Sequence, residues 1–143
     1  MIIEAAKTAY NQFWRSTSDE STGDKQAAKV TKAWQDMVAS NSIKPEVLIK
    51  DNLKERIDVI DFSSATAYEM KVSSNNPHHE FYKDIFKVII YNQHHKDNKV
   101  KRLVFITGRV GADKLKRGLG EVVMQSMGHY ELSVEVVGIA NIE

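Results

Sequence analysis

The stretch 56–72, RIDVIDFSSATAYEMKV, constrains the fold more than any other part of the chain. Two short apolar-rich runs flank a small polar turn, a pattern typical of a β-hairpin. The first run carries Asp58 and Asp61, and the second carries Glu69 and Lys71, two residues apart. Because successive side chains of a strand point to opposite faces, Glu69 and Lys71 share one face of the predicted hairpin.

An acid and a lysine on one strand face, with a second acid across the hairpin, are the groups that metal-assisted phosphodiester hydrolysis requires. Carboxylates hold a hard cation through oxygen. The cation polarises the phosphoryl oxygen and lowers the pKa of a bound water, while a nearby lysine positions that water. The hairpin therefore predicts a catalytic site of Asp58, Glu69 and Lys71, with Asp58 and Glu69 as the metal ligands.

The length of the hairpin turn decides which aspartate joins the site. With a two-residue turn at 64–65, Asp58 falls opposite Lys71, and Asp61 lies on the other face. With a three-residue turn, Asp61 falls opposite Glu69 and displaces Asp58. Two-residue turns are common in hairpins but favour Gly or Asn, which this turn lacks. We expect Asp58 to be the metal ligand, with Asp61 as the alternative.

The hairpin also resembles a known family. Asp58, ten intervening residues and then Glu69-Met70-Lys71 are similar to the PD-(D/E)XK motif of the restriction-endonuclease-like nuclease superfamily. Ile57 stands where the motif has proline, a position that the superfamily keeps loosely. The resemblance covers about residues 44–139. It implies a magnesium-dependent nuclease that acts on DNA, with Mn²⁺ as an alternative to Mg²⁺.

Length and composition set the outer bounds. At 143 residues and 42% hydrophobic content, the chain suits a single domain over residues 1–143. The sequence contains no run of about 18 apolar residues, so we expect no membrane helix, and no segment resembles a signal peptide. The absence of cysteine excludes disulfides and thiolate metal sites and fits a cytoplasmic protein. The net charge of +1 selects no class of partner.

The apolar periodicity predicts an α/β fold in which helices flank a central mixed β-sheet, as in the nuclease superfamily. Two N-terminal helices occupy residues 1–40, separated by a polar loop at 16–24. The core, 44–139, begins with a strand at 47–49, for which a short helix is the alternative. A strand, a helix and a final strand then predict a parallel crossover. The elements after the hairpin are helix 77–96, a buried strand 101–107, helix 112–127 and strand 131–139.

Helix 77–96 has the clearest start, because Asn76 is a good N-cap and Pro77 suits the first helical position. Its apolar residues cover about half of the circumference, which indicates a largely buried helix. The polar face has two interpretations: an exposed face with internal ion pairs, or, by the resemblance, a surface near the active site whose His79 and Lys83 contact a phosphate. The apolar residues are Phe81, Tyr82, Ile85, Phe86, Val88, Ile89 and Ile90, and the polar face holds Glu80, Lys83, Asp84 and Lys87.

Two other patterns are given structural explanations. The histidine pairs 78–79 and 94–95 lie roughly 24 Å apart on one predicted helix, so they cannot bind one zinc ion within a monomer. The glycines of 107–111 suit a tight turn from strand to helix, since the segment lacks the Gly-Lys-Ser/Thr ending of a phosphate loop.

Several functional alternatives stay open. The basic residues near 96–102 and 114–117 suit either a DNA backbone contact or a soluble surface. RNA is an alternative substrate, and a non-catalytic binding or immunity module on the same fold is an alternative function. A chain with one active site must dimerise to cut both strands of a duplex. The N-terminal helices, with Trp14 and Trp34, are the predicted interface of that homodimer.

Overall fold

The fold contains four α-helices and five strands in the part of the chain that the structure, a computed structural model, describes: residues 1–14, 23–72 and 76–139. A short π-helix, Tyr10–Trp14, continues the first α-helix. The α-helices are α1 (Ile2–Ala9), α2 (Gly23–Val38), α3 (Pro77–His94) and α4 (Arg109–Gly128). The strands are β1 (Ile43–Leu48), β2 (Arg56–Asp61), β3 (Thr66–Lys71), β4 (Arg102–Gly108) and β5 (Ser133–Ile139).

The five strands form one mixed sheet in the order β1-β2-β3-β4-β5. The first three strands are an antiparallel meander, and β3, β4 and β5 run parallel to one another. The predicted first strand is therefore confirmed over the short-helix alternative. The predicted parallel crossover is confirmed as well, because α4 connects two parallel strands.

Helices cover both faces of the sheet, which makes the fold an α/β fold with two cores. One core joins the sheet to α3 and α4, and its largest side chains include Phe81 and Phe105, whose rings meet edge to face. The other core joins the sheet to α1 and α2 around the fully buried Trp34. The Trp34 indole donates a hydrogen bond to the Ile2 carbonyl, so this side chain ties α2 to α1.

Helix α3 begins as predicted but is rotated from its predicted orientation. Asn76 Oδ1 accepts a hydrogen bond from the backbone N–H of His79, which confirms the N-cap, and Pro77 is the first helical residue. Asp84 and Lys87, read from the sequence as part of a polar face, are buried against the sheet. Tyr82 and Phe86, expected in the apolar arc, are exposed.

Other differences concern the ends of elements. Helix α3 ends at His94 rather than at residue 96, and α4 starts at Arg109, directly after β4. The predicted loop at 16–24 falls mostly on residues 15–22, outside the described part of the chain. No helix in the described ranges has the length and apolar character needed to cross a membrane.

The connection from α3 to β4 depends on Asn92. Its side chain accepts a hydrogen bond from the Val100 N–H at 2.7 Å and donates one to the Val100 carbonyl at 2.8 Å. Asn92→Ala leaves both backbone groups of a buried residue without their partner, so we expect the free energy of unfolding to fall by about 1–3 kcal/mol. Urea unfolding measures this, with Gln93→Ala, an exposed neighbour, as the control. Equal stability of the two variants would contradict the role of Asn92.

Candidate active site

The hairpin between β2 and β3 has a longer turn than either alternative considered from the sequence. Four residues, Phe62 to Ala65, join the strands, and Val59 pairs with Tyr68. The next pair in this register would be Asp58 and Glu69. The predicted two-residue turn would instead have placed Asp58 opposite Lys71. The predicted turn is therefore wrong, but the register differs by an even number of residues. Asp58 lies next to Glu69, because the Asp58 N–H hydrogen-bonds the Glu69 carboxylate.

Asp61 belongs to the turn. One of its oxygens accepts hydrogen bonds from the Ser63 N–H and hydroxyl, and the other accepts one from the Ser64 hydroxyl. Partial burial would raise the pKa of Asp61, but these hydrogen bonds outweigh it and lower the pKa below its usual value. The structure thus uses Asp61 to hold the turn and leaves Asp58 as the aspartate next to Glu69.

Beyond Val59 and Tyr68, carboxylates take over hydrogen bonds that normally connect strand backbones. The Asp58 N–H donates to Glu69 Oε1 at 3.3 Å, and the Met70 N–H donates to Asp58 Oδ2 at 2.9 Å. The last paired residues of the ladder are Val59 and Tyr68. Side-chain oxygens of two acids therefore lie between β2 and β3 at the point where the regular ladder ends.

The neighbouring part of β2 is irregular. Ile57 and Ile60 pack into the same core although they are three residues apart, whereas Val59 packs into the other core. The strand alternation therefore slips by one residue around Asp58. The buried side chain of Gln35, from α2, holds this region by donating to the Asp58 carbonyl at 2.9 Å and to Glu46 Oε1 at 3.1 Å.

A buried set of charges lies on the α3 side of the sheet. Glu69 is 0% exposed, and its Oε1 lies 2.7 Å from the amine of Lys87. The same amine lies 3.2 Å from Oδ1 of Asp84, which is also fully buried. We call the buried Glu69, Asp84 and Lys87, together with the half-buried Asp58 beside them, the buried cluster. Strand β3 and helix α3 each supply carboxylate oxygen to one ammonium group.

Burial and like charges dominate the electrostatics of the buried cluster. Burial, with the charges of Asp58 and Asp84, raises the pKa of Glu69 well above its ordinary value, against the opposing effect of Lys87. Burial raises the pKa of Asp84 to about 6, although Lys87 and Lys71 oppose this. For Lys87, burial lowers the pKa, but Glu69 and Asp84 outweigh it and raise the pKa above its usual range. The cluster therefore sets three carboxyl groups against one ammonium, which favours the binding of a proton or a cation by its acids.

Lys71 lies at the edge of the buried cluster. Its side chain is 31% exposed, and its amine is 3.9 Å from Glu80 Oε2 on the first turn of α3. The Thr107 hydroxyl donates to the Lys71 carbonyl at 2.7 Å, which fixes the end of β3 to β4. The amine that contacts Glu69 is thus that of Lys87, while Lys71 is partly open to solvent and close enough to Asp84 to lower its pKa.

Several carboxylate oxygens of this region are buried without a hydrogen bond from any described residue: Glu69 Oε2, Glu80 Oε2 and both oxygens of Asp84. Buried charges without partners are costly, so such oxygens fit a cation. A ready-made cage is not present, however. Within the described residues, no group of three His, Asp or Glu side chains is arranged to hold a metal ion.

The other predicted site residues have different surroundings. His79 and Lys83 are exposed and lie one turn apart on α3, on the same helix as the cluster residues Asp84 and Lys87. His79 Nδ1 is 3.5 Å from Asn76 Nδ2. Trp34, predicted at a dimer interface, is part of the core and is unavailable for that contact.

Three functional candidates were missed by reasoning from the sequence: Gln35, Asp84 and Lys87. Asp84, Lys87 and Tyr91 follow one stripe of α3, next to the buried Phe81, Ile85 and Val88. That spacing places an acid and a lysine at the border of an apolar face, but it does not show whether they face solvent or a buried partner. Gln35 gave no comparable signal.

Comparisons of the chain with protein-family models, with curated proteins and with solved structures found no match.

The raised pKa of Asp84 predicts how stability depends on pH. Because the folded protein holds this proton more tightly than the unfolded chain, ionised Asp84 destabilises the fold above pH 6, and the penalty disappears as pH falls below 6. The Asp84→Asn variant should therefore be more stable at pH 8, with a free energy of unfolding roughly 1–3 kcal/mol above that of the unsubstituted protein. The difference should shrink towards pH 4.

Urea unfolding at pH 4 to 8 measures this difference. Asp113→Asn, at an exposed position of α4, is the control and should change stability by less than about 0.5 kcal/mol at every pH. An Asp84→Asn variant that is less stable than the unsubstituted protein at pH 8 would show that Asp84 is a stabilising partner of Lys87.

Proposed function

We propose that the protein is a metal-dependent nuclease that hydrolyses phosphodiester bonds of DNA, on a fold like that of the restriction endonucleases. The observation that carries this proposal is the carboxylate of Glu69, which is fully buried on β3 beside Asp58 and has one oxygen without a partner among the described residues. Hydrolytic metal sites need adjacent carboxylates of this kind.

The buried cluster supplies carboxylate oxygens, which are the type of ligand that a hard divalent cation binds. Asp58 and Glu69 would hold Mg²⁺ or Mn²⁺, which polarises the phosphoryl oxygen and makes a bound water a stronger nucleophile. Lys71 is partly exposed at the edge of the cluster, where its amine can hydrogen-bond a water or a phosphate oxygen. His79 and Lys83, exposed on α3, supply donors for the phosphate backbone.

The order of elements supports the same proposal. An antiparallel meander, a helix and a parallel strand follow one another, and helices cover both faces of the mixed sheet. This layered arrangement is the one implied by the motif in 58–71. The motif was identified from residues 58–71, whereas the strands and helices after it, 77–139, rest on other residues, so the arrangement of those later elements adds support to the proposal.

A second function, that of a non-catalytic binding or immunity module, is favoured by one observation. The Lys87 amine already neutralises part of the charge of Glu69, with a contact of 2.7 Å. A buried ion pair of this kind can be purely structural. The two functions differ in one respect that can be measured, because only the nuclease requires a divalent cation.

A cut through both strands of a duplex would require a second copy of the chain, because the described residues of one chain form one such cluster. The N-terminal helices remain our proposal for that contact. Their exposed apolar side chains include Met1 and Met37, whereas Trp34 is buried.

Cleavage assays test the proposed function. The protein should nick or cut plasmid DNA in Mg²⁺ or Mn²⁺, and chelation should abolish this. Glu69→Gln should lower the cleavage rate by at least about 100-fold, because a buried oxygen ligand is replaced by a neutral amide. Lys71→Gln should lower the rate by a similar factor and leave metal affinity nearly unchanged, because its amine is proposed to act on the water or the phosphate.

Lys32→Gln, an exposed change on α2 on the opposite side of the sheet, is the matched control and should cleave at the unsubstituted rate. Melting curves show whether each variant is folded. Absence of cleavage on duplex, single-stranded and branched DNA and on RNA, together with absence of metal binding, would favour the binding module instead.

A further inference from the structure

The amine of Lys87 is saturated with oxygen acceptors. It lies 2.7 Å from Glu69 Oε1 and 3.2 Å from Asp84 Oδ1, and it donates to the Arg56 carbonyl at 2.7 Å. An ammonium group has three N–H donors and no acceptor, so all three oxygens attract it, although its contact with Asp84 is an ion pair without a hydrogen bond. Lys87 is also buried, so its amine is already committed to the protein itself. It is therefore unsuited to positioning an attacking water.

The two lysines of the site consequently have different roles. Lys71 has a partly exposed side chain, and its nearest carboxylate, Glu80, is 3.9 Å away. Lys87 stands where two carboxylates of different elements converge, one from β3 and one from α3. The ammonium group of Lys87, which carries a single positive charge, thus lies between carboxylate oxygens of the type that bind divalent cations.

Asp84 is the least satisfied acid of the buried cluster. It is 0% exposed, and neither of its oxygens has a hydrogen bond from the described parts of the chain. The Lys87 amine lies 3.2 Å from Asp84 Oδ1, a contact that is an ion pair and not a hydrogen bond. A helix position that faces the core would be more stable with an apolar residue, because removing a buried charge pair in favour of packing is often stabilising. An acid at this position suggests a ligand.

We propose that Asp84 is a third carboxylate ligand of the cation site and that Lys87 is a built-in counter-ion, whose amine a divalent cation displaces from Glu69 and Asp84. This inference rests on the proposed function and adds two residues of α3 to it. It also explains why the cluster is not arranged as a metal cage. Two of its carboxylates are oriented towards an ammonium group, and they must turn when that group leaves.

Mn²⁺ titrations followed by electron paramagnetic resonance test the exchange, because they report binding without any reaction. Asp84→Asn should weaken Mn²⁺ binding by about tenfold or more, and Glu69→Gln should weaken it at least as much. Asp36→Asn, an exposed change on α2, is the control and should bind Mn²⁺ like the unsubstituted protein.

The Lys87→Met variant tests whether Lys87 is a counter-ion that the metal displaces or a residue that supports metal binding. Without the amine, the buried acids lack a cation, so the variant should melt at a lower temperature than the unsubstituted protein when no metal is present. It should bind Mn²⁺ about tenfold more tightly and gain more in melting temperature from the ion, because the cation no longer competes with the amine. Lys87→Met should fold in saturating Mn²⁺ even if it does not fold without the ion.

The outcomes distinguish this inference from the proposed function. If the unsubstituted protein binds Mn²⁺ and Glu69→Gln abolishes binding, but Asp84→Asn has no effect, the nuclease proposal stands and the role of Asp84 is wrong. Weaker Mn²⁺ binding by Lys87→Met, or its failure to fold in saturating Mn²⁺, would overturn the exchange. Absence of Mn²⁺ binding by the unsubstituted protein would overturn the proposed function itself.

Discussion

The contact between Lys87 and the two buried carboxylates is the interaction on which the arrangement of this protein depends. It joins α3 to β3 through Glu69, and the hydrogen bond from Lys87 to the Arg56 carbonyl joins the same helix to β2. An uncompensated charge in this position would be costly. The rotation of α3 follows from this, since burying Asp84 and Lys87 turns Tyr82 and Phe86 outward.

The sheet provides the setting for these charges. The antiparallel ladder between β2 and β3 ends after Val59 and Tyr68, and the carboxylates of Asp58 and Glu69 receive the backbone N–H groups beyond it. On the other side, β3 stays paired with β4 as far as Lys71, where the Thr107 hydroxyl bonds its carbonyl. The edge of β3 next to β4 is therefore held by regular backbone pairing, whereas on the edge next to β2 side-chain carboxylates replace that pairing. Gln35 supports the opening from the opposite face.

Much of the fold was predictable because periodicity and caps are local signals. The hairpin, the Asn76-Pro77 start and the final strand-helix-strand unit all followed from residue spacing. The turn between β2 and β3 was not, because Ser63, Ser64 and Ala65 lack the Gly or Asn that marks a short turn. The role of Asp61 in that turn depends on hydrogen bonds that only the folded chain shows.

The site was predictable in part for a similar reason. Strand alternation alone placed Glu69 and Lys71 on one face. Strand alternation cannot show which lysine contacts Glu69, because the partner, Lys87, comes from α3, eighteen residues later in the chain. A charged residue at the border of an apolar stripe has the same spacing whether it faces solvent or a buried partner. Asp84 and Lys87 were therefore assigned to an exposed face in the sequence and lie in the core of the structure.

The most direct test of a cation site in the buried cluster is the anomalous scattering of crystals grown with Mn²⁺. We expect a peak within about 2.3 Å of oxygens from Asp58, Glu69 and Asp84, with the Lys87 amine moved away from both Glu69 and Asp84. No peak at saturating Mn²⁺, with Lys87 still in contact with both carboxylates, would contradict the account and make the cluster a structural ion pair.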